Sequence, residues 1–158
     1  IAWTRERLSG SERRFLQDLE LKAEVDGALL VHASPAAPRA WRYVLSADEA
    51  RPEFASFDES VCFIGHSHVP MVIAETSAGV SELPGDEVAL EPGARHIINV
   101  GSVGQPRDGD PRAAFGVFDS EERVYRLVRV AYDAEAASRK IIESGLPPFL
   151  GERLLAGR

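Results

Sequence analysis

Residues 61–65, VCFIG, form a continuous apolar run too short for a helix and without polar alternation. That pattern belongs to a strand covered on both faces, which demands a sheet with a layer on either side. The run hands the chain to His66, Ser67 and His68, so it delivers imidazole to the C-terminal end of a strand. A second apolar run, Leu29 to Val31, ends the same way in His32, followed by Ala33 and a Ser34-Pro35 turn. Side by side, two such strands would bring three imidazoles to one sheet edge, where open α/β sheets usually hold their sites.

If the segment Gly65–His68 stays extended, His66 and His68 project from the same face and converge. Neutral imidazole is the commonest metal ligand, and Zn, Mn or Fe would each accept it. A His-x-His pair alone is equally well a structural feature, and His32 alone reads as a hydrogen-bonded core residue. His96 begins its strand rather than ending it, which places it at the opposite edge with no function assigned.

Elsewhere the chain alternates strand and turn signals. Ser9 with Glu12 has the form of a capping box and predicts a helix over about residues 10–19. Asp26-Gly27 between two apolar stretches predicts a type I′ hairpin ending at His32. Residues 36–59, rich in Pro, Ala and charge, read as a long surface loop that roofs the site, with one helical turn near Asp48. The runs PMVIAE, EVAL, RHIINVG, AAFGVFD and RVYRLVRVAY predict a C-terminal half that is mostly sheet. Asp133 is placed to cap a helix over AEAASRKIIES, closed by Gly145 and Pro147.

Composition narrows the class. Acidic residues outnumber basic ones 25 to 18, giving a net charge of −7, which argues against nonspecific nucleic-acid binding. Cys62 is the only cysteine, so no intrachain disulfide can form and a cytoplasmic setting is expected. No apolar run approaches the roughly 20 residues that span a bilayer, and no membrane association is expected. The chain opens on Ile1 and its single methionine is Met71, which reads as a piece of a longer protein. A homo-oligomer is allowed by the sequence but not specified by it.

Residues 99–115, NVGSVGQPRDGDPRAAF, are a glycine-punctuated loop leaving a strand, with Arg107 and Arg112 within it. Such a loop can turn backbone N–H groups and a guanidinium toward phosphate, or it can be a plain turn cluster. Taken together, "HASP", "GHSH" and "NVGSVGQPRDGDPRAAF" resemble the late motifs of the calcineurin-like metallophosphoesterases. The likeness is strongest to the compact bacterial branch of YfcE-like and diadenosine tetraphosphatase-like phosphodiesterases, and it covers most of residues 1–132. Ala33, Ser67 and Val100 stand where that family usually has glycine, threonine and proline; none of these changes removes a ligand atom.

The resemblance implies an α/β fold, a two-sheet αββα sandwich with flanking helices. This chain, 1–158, would form the C-terminal part of a single domain and contribute one sheet plus part of the other. It implies two divalent ions (Mn, Fe, Zn or Ni), with His32 and His66 on one ion, His68 on its neighbour and Arg107 on the substrate. The implied reaction is hydrolysis of a phosphodiester or phosphomonoester by a metal-bridging hydroxide, on a small phosphorylated or nucleotide-like substrate. The family's D-x-H, GD-x-x-D and GNH motifs are expected upstream of Ile1, so no catalytic acid or bridging carboxylate is assigned here, and Asp58, Asp108 and Asp110 carry no spacing argument for helping. The alternatives are a noncatalytic Vps29-like scaffold and an independent domain with a single structural or regulatory metal.

Overall fold

The computed structural model describes residues 1–158. Its centre is a six-stranded sheet built from β1 (Lys22–Val25), β2 (Ala28–Val31), β3 (Val61–Ile64), β4 (Met71–Thr76), β5 (Gly79–Leu83) and β7 (Arg95–Asn99), in the order β1-β2-β3-β7-β4-β5. A second sheet of three strands, β6 (Glu87–Ala89), β9 (Val124–Val130) and β8 (Ala113–Asp119), lies in that order. Within the large sheet β2, β3 and β7 run parallel, while β1 and β4 pair antiparallel to their neighbours. The parallel register therefore brings the C-terminal ends of β2, β3 and β7 to a common edge.

Alternation along these strands builds two apolar layers. Leu29, Val31, Cys62, Ile64, Ile73 and Ile97 face one way, and pack against Val44, Ala50, Phe54 and Phe57. Ala28, Val61, Val72 and Ile98 face the other way, against Val88, Leu90 and Tyr125 from the small sheet and its flank. Cys62 is fully buried, and desolvation, helped by Glu59, pushes its thiol up to about 12. It is a core residue rather than a ligand.

Two expectations need correction here. Residues 36–59 are not simply a surface loop: they contain two 3-10 turns, Pro38–Ala40 and Arg51–Ser56, with the short helix α3 (Ala47–Ala50) at the position predicted near Asp48. Phe54 and Phe57 from this segment are core, and Arg95 of β7 donates from Nη1 to both of their carbonyls at 2.6 and 2.8 Å. The segment lacks a steady period because it is folded against a sheet by irregular backbone. The other correction concerns the helices and β5, which sequence spacing underestimates.

The predicted helix is α2 (Gly10–Asp18), with both capping-box bonds between Ser9 and Glu12 in place. The hairpin turns at Asp26 and Gly27, both with positive φ as a type I′ turn needs. Asp133 caps α4 (Ala134–Glu143) by accepting from Ala136 N–H at 2.8 Å. Two further helices were not anticipated, α1 (Ala2–Arg7) and α5 (Phe149–Leu155). Both rest on the C-terminal helix pair: α5 packs on α4, and Trp3 Nε1 donates to the Ser144 carbonyl at 3.1 Å. No helix is long and apolar enough to cross a membrane.

Phe63 meets Phe118 and Tyr125 of the small sheet, with ring centroids 5.7 and 6.3 Å apart, while Leu30, opposite it on β2, is exposed. With Leu16, Leu19, Ala23 and Val100, Leu30 and Phe63 line an open apolar groove of about 720 Å³.

His96 occupies the opposite end of β7 from the strand tips, as expected, and is fully buried with neither ring nitrogen hydrogen-bonded. Desolvation there lowers its pKa from 6.5. A lowered folded-state value means that its stabilising contribution is complete above the unfolded-state value near 6.5 and is lost as pH falls through the folded value. Urea unfolding is accordingly expected to show a lower midpoint at pH 5 than at pH 7.5, and His96→Leu is expected to remove part of that difference.

Candidate metal centre

Gly65 continues from β3 and donates its N–H to the His32 carbonyl at 3.0 Å, which ties the two strand tips together. Beyond this point the chain does not remain extended. His66 and His68 both have left-handed backbone, with φ of 65° and 62°. The expected same-face projection of an extended His-x-His is thus not what positions these rings. They sit instead on a tight turn, in which Ser67 N–H reaches the Gly65 carbonyl at 2.7 Å.

The side chain of Asn99 holds that turn. It is fully buried at the end of β7, paired with Ile64. Its Nδ2 donates to the Gly65 carbonyl and to Ser67 Oγ, both at 2.8 Å, and its Oδ1 accepts from Gly101 N–H at 3.0 Å. Gly101 must be glycine-like: its φ is +77°, and an added Cβ would fall 2.9 Å from that of Ala114. The left-handed conformation of two non-glycine residues costs roughly 1–3 kcal/mol each, and these hydrogen bonds offset it.

The turn on the His32 side has its own clamp. Buried Glu53 accepts from Ser34 Oγ at 2.7 Å and from Ala36 N–H at 2.9 Å. Ala33 is buried without positive φ, so its methyl group needs no strained backbone. Neither Asn99 nor Glu53 was singled out by sequence spacing, although Asn99 opens the third motif.

The outcome is a two-plus-one arrangement. His32 Nε2 and His66 Nδ1 are 3.2 Å apart, with ring centroids at 5.1 Å. His68 turns its Nδ1–H to the Gln105 carbonyl at 2.7 Å. No group of three His, Cys, Asp or Glu side chains converges on a point where an ion could sit. Desolvation and, next, the nearby His66 lower the pKa of His32. Desolvation also outweighs the Gln105 hydrogen bond at His68, with Arg107, His66 and His32 lowering it further. Both rings are therefore held toward the neutral, lone-pair-bearing form.

His32 and His66 present two nitrogens that one divalent cation could share, with no third donor converging on them. Nitrogen ligands about 2.0–2.1 Å from zinc lie about 2.9–3.4 Å from each other in octahedral or tetrahedral arrangements, which brackets the His32–His66 separation; the same separation also suits an N–H···N hydrogen bond. A His that donates one ring nitrogen to a backbone carbonyl, as His68 does, has its tautomer set with the other nitrogen ready for a metal. The set lacks negative charge. Asp108 pairs with Arg129, and Asp110 with Arg112 at 2.6 Å, whose hydrogen bonds bring the Asp110 carboxyl down to about 2.

Of the arginines in residues 99–115, only Arg107 has no carboxylate partner. Its guanidinium donates to Gln105 Oε1 at 3.1 and 2.7 Å, and its backbone N–H reaches the His68 carbonyl at 3.1 Å. The site also includes two residues that sequence spacing overlooked. Tyr43 stacks on His66 with centroids 4.5 Å apart and planes at 16°, and Trp41 meets both His32 and His66 at 5.4 and 5.7 Å.

Comparison with solved structures identifies the fold. A metallophosphoesterase from Sphaerobacter thermophilus superposes with a TM-score of 0.90 at 35% identity, over 99% of this chain and 65% of that one. The fold is that of a metallophosphoesterase. A hypothetical protein from Pyrococcus horikoshii shares the fold more distantly, with a TM-score of 0.72 at 20% identity over 98% of this chain and 57% of that one. An uncharacterized protein of Methanocaldococcus jannaschii is 38% identical over 162 residues, taking in all of this chain and 65% of that protein. The chain thus spans less than two thirds of the length of each of these three proteins. No family model matches it.

Asn99→Ala removes three hydrogen bonds and leaves buried partners unpaired. It is expected to destabilise the protein by about 2–3 kcal/mol, measured by denaturant unfolding.

Proposed function

We propose that the complete protein is a metal-dependent phosphoesterase of the YfcE-like branch, acting on a phosphodiester or phosphomonoester at a dinuclear centre. In this reading His32 and His66 hold one ion and His68 its neighbour, and Mn, Fe, Zn and Ni are all compatible with such imidazole ligands. The observation that carries it is the two-plus-one arrangement of imidazoles at the tips of adjacent parallel strands. Bound ions would supply Lewis acidity toward the phosphoryl group and activation of the attacking water.

The residues of this chain then have separate tasks. His32 and His66 present ring nitrogens at a spacing suited to one cation. The Gln105 carbonyl keeps the Nδ1 proton on His68, leaving Nε2 for the cation. Arg107, without a carboxylate partner, binds the phosphoryl oxygens of a small phosphorylated substrate. The balancing carboxylates and the group that protonates the leaving oxygen are supplied by segments outside this chain. That part of the reading is supported by the lack of a third His, Cys, Asp or Glu ligand converging with the His32–His66 pair, and by the third or more of each relative's length that the chain does not match. The open groove beside α2 and Phe63 offers such a segment an apolar face.

In the full-length protein, His66→Ala is expected to lower both bound metal and hydrolysis of bis(p-nitrophenyl) phosphate by about a hundredfold or more. Elemental analysis and an absorbance assay measure the two, and a variant unchanged in both refutes the assignment. Arg107→Ala is expected to raise KM for the same substrate by about tenfold while metal content stays constant.

A further inference from the structure

The phosphoesterase reading gives Arg107 a phosphoryl group to bind but gives no account of what holds that side chain in place. No carboxylate anchors its guanidinium, which bonds only to Gln105 Oε1 two residues away. Its position is therefore inherited from the backbone of the loop. In front, that backbone is tied twice to the histidine turn: the Gln105 carbonyl accepts from His68 Nδ1 at 2.7 Å, and Arg107 N–H donates to the His68 carbonyl at 3.1 Å. Pro106, between these two bonds, is fully buried. At the start of the loop Ser102 Oγ accepts from Gly104 and Gln105 N–H at 3.3 and 3.0 Å.

Behind Arg107 the loop is held by residues distant in sequence. Asp108 gives its carboxylate to Arg129 of β9, which engages it through both Nη1 and Nη2. The two side chains are only 11% and 17% exposed, so the pair is screened less than surface pairs such as Arg126–Glu87. Arg129 Nε also lies 3.9 Å from Asp110. One residue further, Gly109 N–H donates to the Gly157 carbonyl at 2.9 Å, just beyond the end of α5. Gly157 has a φ of 62°, and a Cβ there would fall 2.7 Å from the backbone N and C of Asp110. Backbone cannot step aside as the end of a side chain can, so even one methyl group at 157 must displace residues 109–110. Neither β9 nor the tail of α5 carries a candidate metal ligand, yet both set the course of the chain next to Arg107.

Resting on the phosphoesterase reading, we propose that Arg129 and Gly157 are positioning residues for Arg107. Through Asp108 and Gly109 they fix the loop from behind, at the place where its guanidinium meets the phosphoryl group, without touching substrate or metal.

Because the contacts act through Arg107, their effect must vanish when Arg107 is gone. Calorimetry follows inorganic phosphate binding to the full-length, Mn-loaded protein, and elemental analysis follows its metal. Arg129→Gln and Gly157→Ala are each expected to weaken phosphate binding by about threefold or more with bound Mn unchanged. Asp108→Asn cuts the same ion pair from the other end while leaving β9 intact, and is expected to match Arg129→Gln. In an Arg107→Ala background none of the three is expected to weaken binding further, since substitutions that act through one shared group are not additive. Phosphate binding that is unaltered in both Arg129→Gln and Asp108→Asn overturns the proposal. So does the same loss recurring in the Arg107→Ala background, which would make the contacts a general support for the fold, or a loss of Mn, which would place their effect on His68. Phosphate that does not bind the unaltered protein overturns the phosphoesterase reading itself and this proposal with it.

Discussion

One buried carboxamide organises the site. Asn99 is aligned with Ile64 by the parallel pairing of β7 and β3, so its side chain lies where β3 releases the chain into the histidine turn. Its three hydrogen bonds reach Gly65, Ser67 and Gly101, joining the two glycine-containing motifs into one unit. Left-handed backbone at His66 and His68 would be unfavourable in an isolated peptide. Here it is one side of a closed hydrogen-bonded arrangement, and the rings diverge accordingly: one toward His32 and the other toward Gln105.

The same logic of anchoring irregular backbone to regular strands applies on the His32 side. Glu53 is a buried carboxylate, yet it accepts from a hydroxyl and a backbone N–H, which satisfies the requirement that buried polar groups be paired. Arg95 reaches from β7 to two carbonyls of the same segment and to Glu75. With Phe54 and Phe57 fixed from below, the roof can present Trp41 and Tyr43 at the imidazoles while keeping both half exposed.

Charge is distributed with comparable economy. In the loop after β7, Asp110 pairs with Arg112, and Arg129 reaches in from β9 to pair with Asp108. Arg107 is left to a neutral amide. The three imidazoles and this guanidinium supply no negative charge to the candidate site.

Local signals in the chain were enough for the capping box at Ser9, the type I′ turn at Asp26-Gly27, the cap at Asp133 and most strands, because each depends on neighbours within a few residues. The histidines at strand tips were legible for the same reason: short apolar runs end where polar residues begin. Tertiary structure decided the rest. The bend at His66 and His68 depends on an amide more than thirty residues away, the burial of Phe54 and Phe57 depends on a sheet face assembled from distant strands, and the meeting of Trp41 with His32 depends on both. Periodicity reports which side of an element is apolar; only long-range hydrogen bonds and packing determine where an irregular segment points its side chains.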